Sequence, residues 1–128
     1  MNELEKINET IFESIKHVDD EGNEYWYARE LQKVLEYTEW RNFNGVIEKA
    51  INSCKTSNYV ASDHFVDTDK MINLGKGGQR EVPDYKLSRY ACYLIAQNGD
   101  SRKKVIVLAQ TYFAIQTRKQ ELLRNIIV

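Results

Sequence analysis

Apolar residues recur every three or four positions near the start of the chain, which is the spacing of one face of an amphipathic helix. Between residues 2 and 15 the apolar side chains are Leu4, Ile7, Ile11, Phe12 and Ile15. This pattern predicts a first helix, and Asn2 is positioned to cap its N-terminus.

A different pattern follows, in which two short runs rich in β-forming residues flank a polar turn. The runs are residues 16–18 and 25–27, and the turn at 19–23 contains a glycine. This arrangement predicts a β-hairpin. Trp26 alternates with the tyrosines on either side, so one face of this strand can be buried while the other is exposed.

Helical spacing returns at residues 28–35 and again in a longer segment that begins at Thr38, its predicted N-cap. The apolar side of the longer segment consists of Val46, Ile47, Ala50, Ile51 and Cys54. The polar stretch at 55–64 predicts a loop with a short helical turn.

A second hairpin is predicted around the glycine-rich sequence at 75–78. The apolar pairs at 65–66 and 71–72 precede it, and Val82 follows it. Glycines supply the positive φ angles that a tight tip requires. Pro83 lacks a backbone N–H, which confines it to a sheet edge or a strand end.

The last third of the sequence predicts two helices. Residues 87–98 are apolar almost all round, which indicates a buried central helix with Gly99 as a left-handed C-terminal cap. Asp100 and Ser101 can cap a final helix from about Arg102. Its predicted stripe includes Val105, Leu108, Ala109 and Tyr112. The whole pattern predicts a mainly helical α+β fold with two short β-hairpins, in a single domain over residues 1–128.

Composition and charge restrict the possible functions. The longest uncharged apolar run, residues 105–110, is far shorter than the roughly 20 residues that cross a bilayer. The first residues have neither the basic flank nor the apolar stretch of a signal peptide. We therefore expect a cytoplasmic protein without a membrane partner. Two isolated cysteines suit a reducing compartment better than a disulfide framework.

Charge is balanced overall, with a formal net charge of -1, but it is uneven along the chain. Residues 1–64 contain 7 basic and 13 acidic side chains, whereas residues 65–128 contain 11 basic and 6 acidic side chains. The second half is where an anionic partner is expected to bind.

Motifs for metal or cofactor chemistry are absent from the sequence. His17 and His64 are 47 positions apart, and no cysteine or histidine lies at metal-ligand spacing from them. Cys54 and Cys92 fall on apolar helix faces, which is typical of core residues. We predict no metal site and no cofactor.

Enzymatic motifs are incomplete. The glycine-rich sequence at 75–78 lacks the spacing of a Walker loop. Asp67 or Asp69 followed by Asp84 and Lys86 resembles the carboxylate and lysine set of metal-dependent nucleases, but no parallel βαβ frame surrounds it. We therefore predict a protein that is not an enzyme.

Basic side chains at exposed positions favour contact with nucleic acid. Lys76 and Arg80 flank the predicted hairpin tip, where they could contact a phosphate backbone. Residues 102–104 place three cations at a helix start, where the helix dipole does not explain them. The predicted nucleic-acid contacts are Arg41, Lys76, Arg80, Arg89, Lys103, Lys104 and Arg118.

The nearly neutral net charge supports an alternative function, that of a protein-interaction module. Such a module would bind a recombinase, a repressor or a second copy of itself through the last helix and the apolar residues 126–128.

The segments at 87–100 and 109–118 carry a family resemblance, which the segments at 25–31, 37–43 and 63–65 support. They resemble the DNA-damage-inducible protein D family, whose Bro-N domain also occurs in phage antirepressors and baculovirus repeated proteins. The resemblance extends from about residue 12 to residue 123.

This resemblance implies a bacterial or phage-derived protein of the DNA-damage (SOS) response with a mixed α and β N-terminal domain. It implies a modulator of recombination without catalytic residues, whose partner is DNA or a RecA-type recombinase filament. The residues leave open whether that DNA is single- or double-stranded, and the last helix makes a homodimer an additional expectation. Members of the family usually have a further helical C-terminal part, into which the final helix would lead.

Overall fold

A computed structural model describes residues 10–127 of the chain and the side chains of residues 10–123. The helices of the described part are α1 (10–14), α2 (Ala28–Val34), α3 (Trp40–Thr56), α4 (Ala61–His64), α5 (Arg89–Gln97) and α6 (Lys104–Ile127). The strands are β1 (His17–Val18), β2 (Glu24–Tyr27), β3 (Phe65–Leu74) and β4 (Gly78–Leu87). The predicted α+β class is confirmed.

The strands form one antiparallel sheet in the order β1-β2-β4-β3. The first predicted hairpin is confirmed, with His17 paired to Tyr25. The second hairpin was predicted to be short, but each of its strands has 10 residues and they pair without interruption from Phe65 opposite Leu87 to the tip. The prediction was wrong about its length because most side chains of the two strands are exposed and many are polar, so their sequence pattern resembles a loop.

Pro83 lies at a position of β4 that has a neighbouring strand on one side only, as predicted for a sheet edge. It belongs to the part of β4 that pairs with β3 alone, because β2 reaches β4 only at Lys86 and Leu87. Its missing N–H therefore interrupts no bond on the β2 side.

The hydrophobic core lies between the helices and one face of the sheet. That inner face presents Trp26, Phe65 and Leu87, which are buried. The Trp26 ring packs edge-on against Phe113 at 5.5 Å, and its Nε1 donates a hydrogen bond of 3.0 Å to the carbonyl of Phe12. The buried indole thereby joins α1, β2 and α6.

Several predicted helix boundaries differ from the structure. α3 begins at Trp40, and Glu39 rather than Thr38 occupies its N-cap position, without a side-chain bond to the helix. α5 begins only at Arg89, because Leu87 ends β4. Ser88 caps α5, and its Oγ accepts a bond of 3.0 Å from the backbone N–H of Ala91.

Gly99 does not have the predicted left-handed conformation, because the glycines with positive φ in the described chain are Gly22 and Gly77. Asn98 ends α5 with an ordinary negative φ. Gly99 instead allows the side chain of Ile106 to approach the backbone closely, because a Cβ atom at position 99 would lie 2.8 Å from Cδ1 of Ile106. The glycine is therefore explained by packing between α5 and α6.

The final helix α6 starts at Lys104, two residues later than predicted, after a turn in which Asp100 accepts a bond from the N–H of Arg102 at 3.0 Å. Its buried residues are Ile106, Ala109, Tyr112 and Phe113. Two of these, Ile106 and Phe113, were not on the predicted stripe. The predicted helical residues 2–9 with Asn2, and the predicted apolar side chains of 126–128, lie outside what the structure describes.

None of the helices over residues 10–127 has the length and apolar character needed to cross a membrane.

Candidate nucleic-acid interface

Strand alternation separates the charged residues of the sheet onto its two faces. Paired residues of an antiparallel sheet project to the same side, and so do residues two positions apart. By this register the outer face, opposite the core, carries His17, Tyr25, Tyr27, Lys70, Arg80 and Lys86. Three acidic residues of β3 and β4, Asp67, Asp69 and Glu81, lie on the inner face. The fourth, Asp84, lies on the outer face, where it is buried. The outer face is therefore basic and aromatic.

Three aromatic rings are clustered at one end of the outer face. The centroids of His17 and Tyr27 are 4.9 Å apart, and those of Tyr25 and Tyr27 are 5.3 Å apart. Lys86 Nζ lies 5.1 Å from the centroid of Tyr25. All three rings are partly exposed. The hydrogen bond to Tyr25, together with burial and the nearby carboxylates, raises the pKa of Tyr27.

The start of α2 covers the middle of the outer face. The backbone N–H of Arg29 donates to the buried carboxylate of Asp84 at 3.0 Å, and Arg29 Nε donates to the carbonyl of Pro83 at 2.7 Å. Glu30 attaches α2 to β1, since its Oε1 lies 2.6 Å from Nε2 of His17. These contacts fix α2 against β1 and β4.

Arg29 lies near the predicted contact Arg80 and packs against the start of α3. Its guanidinium lies 4.1 Å from the ring centroid of Trp40, which precedes the exposed Arg41. Burial lowers the pKa of Arg29, Asp84 opposes this effect, and the nearby charge of Arg80 lowers the pKa further. Arg29 was absent from the predicted contacts, although it lies among aromatic residues in the sequence, because its ring partner Trp40 is in another helix.

The outer half of the second hairpin, residues 70–80, forms the distal arm. It contains Lys70, Lys76 and Arg80 and no acidic residue. Lys76 lies at the tip with a φ of 65°, and both Lys76 and Arg80 are exposed. The distal arm thus presents three positive charges away from the core.

Arg89, another predicted contact, is on the opposite side of the sheet. Its side chain is 10% exposed, and it binds both carboxylate oxygens of Glu24, with a distance of 2.6 Å from Nε to Oε1. Its guanidinium also lies 5.5 Å from the ring centroid of the inner-face residue Trp26. A partner on the outer face cannot reach it.

The remaining predicted contacts lie on α6 or at its start. Lys103 Nζ donates to the carbonyl of Glu36 at 2.5 Å and lies 4.1 Å from the ring centroid of Tyr37. Lys104 is exposed, and Arg118 pairs with a glutamate one turn later at 3.2 Å. The seven predicted residues therefore do not share one surface, although Lys76 and Arg80 share the distal arm.

Residues 10–127 contain no group of three or more His, Cys, Asp or Glu side chains that could hold a metal ion. Cys54 and Cys92 are buried, and burial raises the pKa of both thiols. Burial lowers the pKa of His64, against the opposing effect of Asp63. These groups are part of the packed structure.

Comparison with known proteins gives one family and one relative. The BRO family, N-terminal domain (Bro-N), matches residues 14–114. DNA damage-inducible protein D of Escherichia coli (strain K12) is 49% identical over 111 residues, which are 87% of this chain and 40% of that protein. No solved structure matches the chain.

The family match covers most of the described elements, from the end of α1 into α6. It confirms the resemblance inferred from the sequence. The chain spans about two fifths of the length of its relative. On the strength of the match over residues 14–114, the chain belongs to the Bro-N family.

Proposed function

We propose that this chain is a regulator of the DNA-damage response that binds DNA through the outer face of its sheet and the distal arm, without catalysing a reaction. The name of its Escherichia coli relative supports the cellular context. The observation that carries the proposal is the separation of charge, which leaves Lys70, Arg80 and Lys86 on one face and places Asp67, Asp69 and Glu81 on the other.

The outer face has the two features that bind single-stranded DNA. Cations contact the phosphate backbone, and partly exposed aromatic rings stack on unpaired bases. The rings of His17, Tyr25 and Tyr27 lie beside Lys86 in this arrangement. We therefore expect single-stranded DNA to bind more tightly than a duplex of the same length.

The experiment measures DNA affinity at several salt concentrations for the parent and for the double variant Lys76→Glu with Arg80→Glu. Each phosphate contact contributes about 0.7 to 0.9 to the slope of log affinity against log salt. Losing two contacts should lower that slope by about 1.5 and weaken binding at low salt.

The matched control is Lys49→Glu with Lys55→Glu, which makes the same charge change at exposed positions of α3. We expect the control to bind like the parent. Equal loss in both double variants, or no salt-dependent binding by the parent, would contradict DNA contact through the arm. Circular dichroism shows whether each variant is folded.

A second candidate function is contact with a protein, such as a RecA-type recombinase filament or a repressor. Exposed apolar side chains on α6 support it, since Ile115 is 48% exposed and Leu122 is 45% exposed. The net charge of -1 also suits a protein partner. Cosedimentation with preassembled recombinase filaments tests it: Leu122→Glu should abolish binding while Lys76→Glu with Arg80→Glu should not.

A further inference from the structure

A cleft opens on the outer face of the sheet, next to the residues proposed to contact DNA. Its volume is about 320 Å³, and its wall consists of Tyr27, Glu30, Asp69, Lys70 and Met71. Tyr27 and Lys70 project from the outer face by the register of the strands. Glu30 belongs to α2, whose start covers the middle of that face. The volume reaches the roughly 300 Å³ at which small-molecule sites begin, so the cleft is large enough for one ring system.

Tyr27 gives the cleft an aromatic surface. The two neighbouring rings meet it steeply, His17 at an interplanar angle of 70° and Tyr25 at 90°. Neither ring lies flat against Tyr27, and its side chain remains partly exposed. Any unpaired base can stack on such a ring, because every base has a π face. Tyr27 therefore provides affinity for a base without a choice among the bases.

Glu30 adds a hydrogen-bond acceptor at a fixed position. Its Oε1 lies 2.6 Å from Nε2 of His17, and its side chain is 37% exposed. A carboxylate has about four acceptor sites, and the contact with His17 occupies one of them. An ionised carboxylate only accepts hydrogen bonds, so a group that binds to Glu30 must be a donor.

The charge of Glu30 determines which part of a nucleotide suits the cleft. The carboxylate repels a phosphate, whereas the cations of the same face, Lys70, Arg80 and Lys86, attract one. The exocyclic amino group of cytosine is a donor that glutamate side chains accept. Thymine has a carbonyl oxygen at the same ring position, which cannot donate to a carboxylate.

We propose that this cleft binds one unpaired base that carries an exocyclic amino group, with its ring against Tyr27 and its amino group donating to Glu30. The phosphates on either side of that base contact the cations of the outer face. Glu30 is thus a specificity-determining residue, which makes the protein prefer cytosine to thymine in single-stranded DNA. This inference rests on the proposed binding of DNA by the outer face.

The test compares the affinities of the protein for oligodeoxycytidine and oligodeoxyuridine of equal length, measured by fluorescence anisotropy at one neutral pH and one salt concentration. The two strands have the same backbone and ring size and differ at the amino or carbonyl edge of the base, without the methyl group of thymine. We expect the parent to bind the cytosine strand about fivefold more tightly, the lower end of what one base contact contributes.

Glu30→Gln keeps an oxygen that can accept from His17, but it removes the negative charge and adds a donor for the carbonyl of uracil. We expect both strands to bind this variant more tightly, because a repulsive charge is lost from the DNA face. The preference for the cytosine strand should disappear. A role of Glu30 in folding or in net charge alone would change both affinities by the same factor.

The matched control is Glu21→Gln, which makes the same change at an exposed position in the turn between β1 and β2. It should retain the preference of the parent for the cytosine strand. Circular dichroism shows whether both variants are folded.

Equal affinity of the parent for the two strands, or the same preference in Glu30→Gln as in the parent, would overturn the base site. Either result would leave DNA binding by the outer face intact. If the parent bound neither strand, the proposed function would fail and this inference with it. The two failures are therefore distinguishable in one set of titrations.

Discussion

Gly99 occupies a position where a methyl group does not fit. A Cβ atom there would lie 2.8 Å from Cδ1 and 3.1 Å from Cγ2 of Ile106, which is fully buried. We expect Gly99→Ala to reduce the free energy of unfolding by about 1–3 kcal/mol, because overpacking forces buried side chains to move. Denaturant unfolding measures this change.

Gly45 provides the opposite case. It lies inside α3, and nothing would come within 4 Å of an added Cβ. Gly45→Ala should stabilise the protein by about 0.5–1 kcal/mol, because alanine loses less backbone entropy in a helix. If both glycine variants changed stability in the same direction, the packing explanation for Gly99 would be wrong.

His64 gives the protein a pH-dependent stability. Burial lowers its pKa below the unfolded value of 6.5, and Nδ1 lies 2.7 Å from Oγ of Ser88. The unfolded chain therefore binds a proton at a pH where the folded chain does not. The contribution of His64 to the free energy of unfolding is therefore at its maximum above pH 6.5 and declines as the pH falls below 6.5.

The measurement is the free energy of unfolding between pH 5 and about 8 for the parent and His64→Asn, since histidine titrates in this range. The asparagine amide can replace Nδ1 but does not titrate. We expect the free energy of unfolding to depend less on pH in the variant, because the contribution of His64 to that slope disappears. An unchanged slope would assign the pH dependence to other groups.

Among the elements, α2 receives its N-terminal cap from a different strand. Tyr27, at its N-cap position, makes no side-chain bond to the helix. Asp84 of β4, which is 2% exposed, instead accepts the N–H groups of Arg29 at 3.0 Å and Tyr85 at 2.8 Å. This carboxylate joins the start of α2 to the middle of the sheet.

Asp84→Ala should lower the free energy of unfolding by about 1–3 kcal/mol, because two N–H groups lose their acceptor in a buried site. Asp84→Asn retains a carbonyl oxygen and should cost less. Denaturant unfolding compares the two variants. Equal destabilisation by both would show that the carboxylate charge, rather than the acceptor, stabilises α2.

The second hairpin shows why an element was predicted with the wrong length. Its tip was predicted from the glycines at 75–78, and Gly77 has the expected positive φ of 82°. Its length was not predictable, because backbone pairing between exposed strands needs no apolar alternation. Only the buried residues Phe65, Val82 and Leu87 carry the usual signal of a strand.

Across the whole molecule, the acidic and basic halves of the chain interleave. Glu24 of the acidic half pairs with Arg89 of the basic half, and Glu13 accepts a bond from the hydroxyl of Tyr112. Burial and this contact with Glu13 raise the pKa of Tyr112. The basic second half of the sequence therefore does not form one continuous basic surface on the folded molecule. Its exposed cations occupy separate regions, of which the distal arm is one.

The exposed side of α6 predicts self-association. Val107, Ile115 and Leu122 are between 45% and 48% exposed and recur at helical spacing on one side of the helix. Burial of such side chains against a second copy would be favourable. We expect sedimentation velocity to show a concentration-dependent dimer. Ile115→Glu with Leu122→Glu should give a monomer, and a parent that stays monomeric at all concentrations would contradict the prediction.

The sequence by itself determined the local structure: helical periodicity, the first hairpin, the glycine tip and the family resemblance follow from neighbouring residues. Tertiary structure alone decided which cations share a surface, because Arg80 and Arg89 are nine positions apart yet lie on opposite sides of the sheet. It also decided the cap of α2 and the packing of Gly99. Each of these depends on a contact between segments that are distant in sequence, and residue spacing carries no information about such contacts.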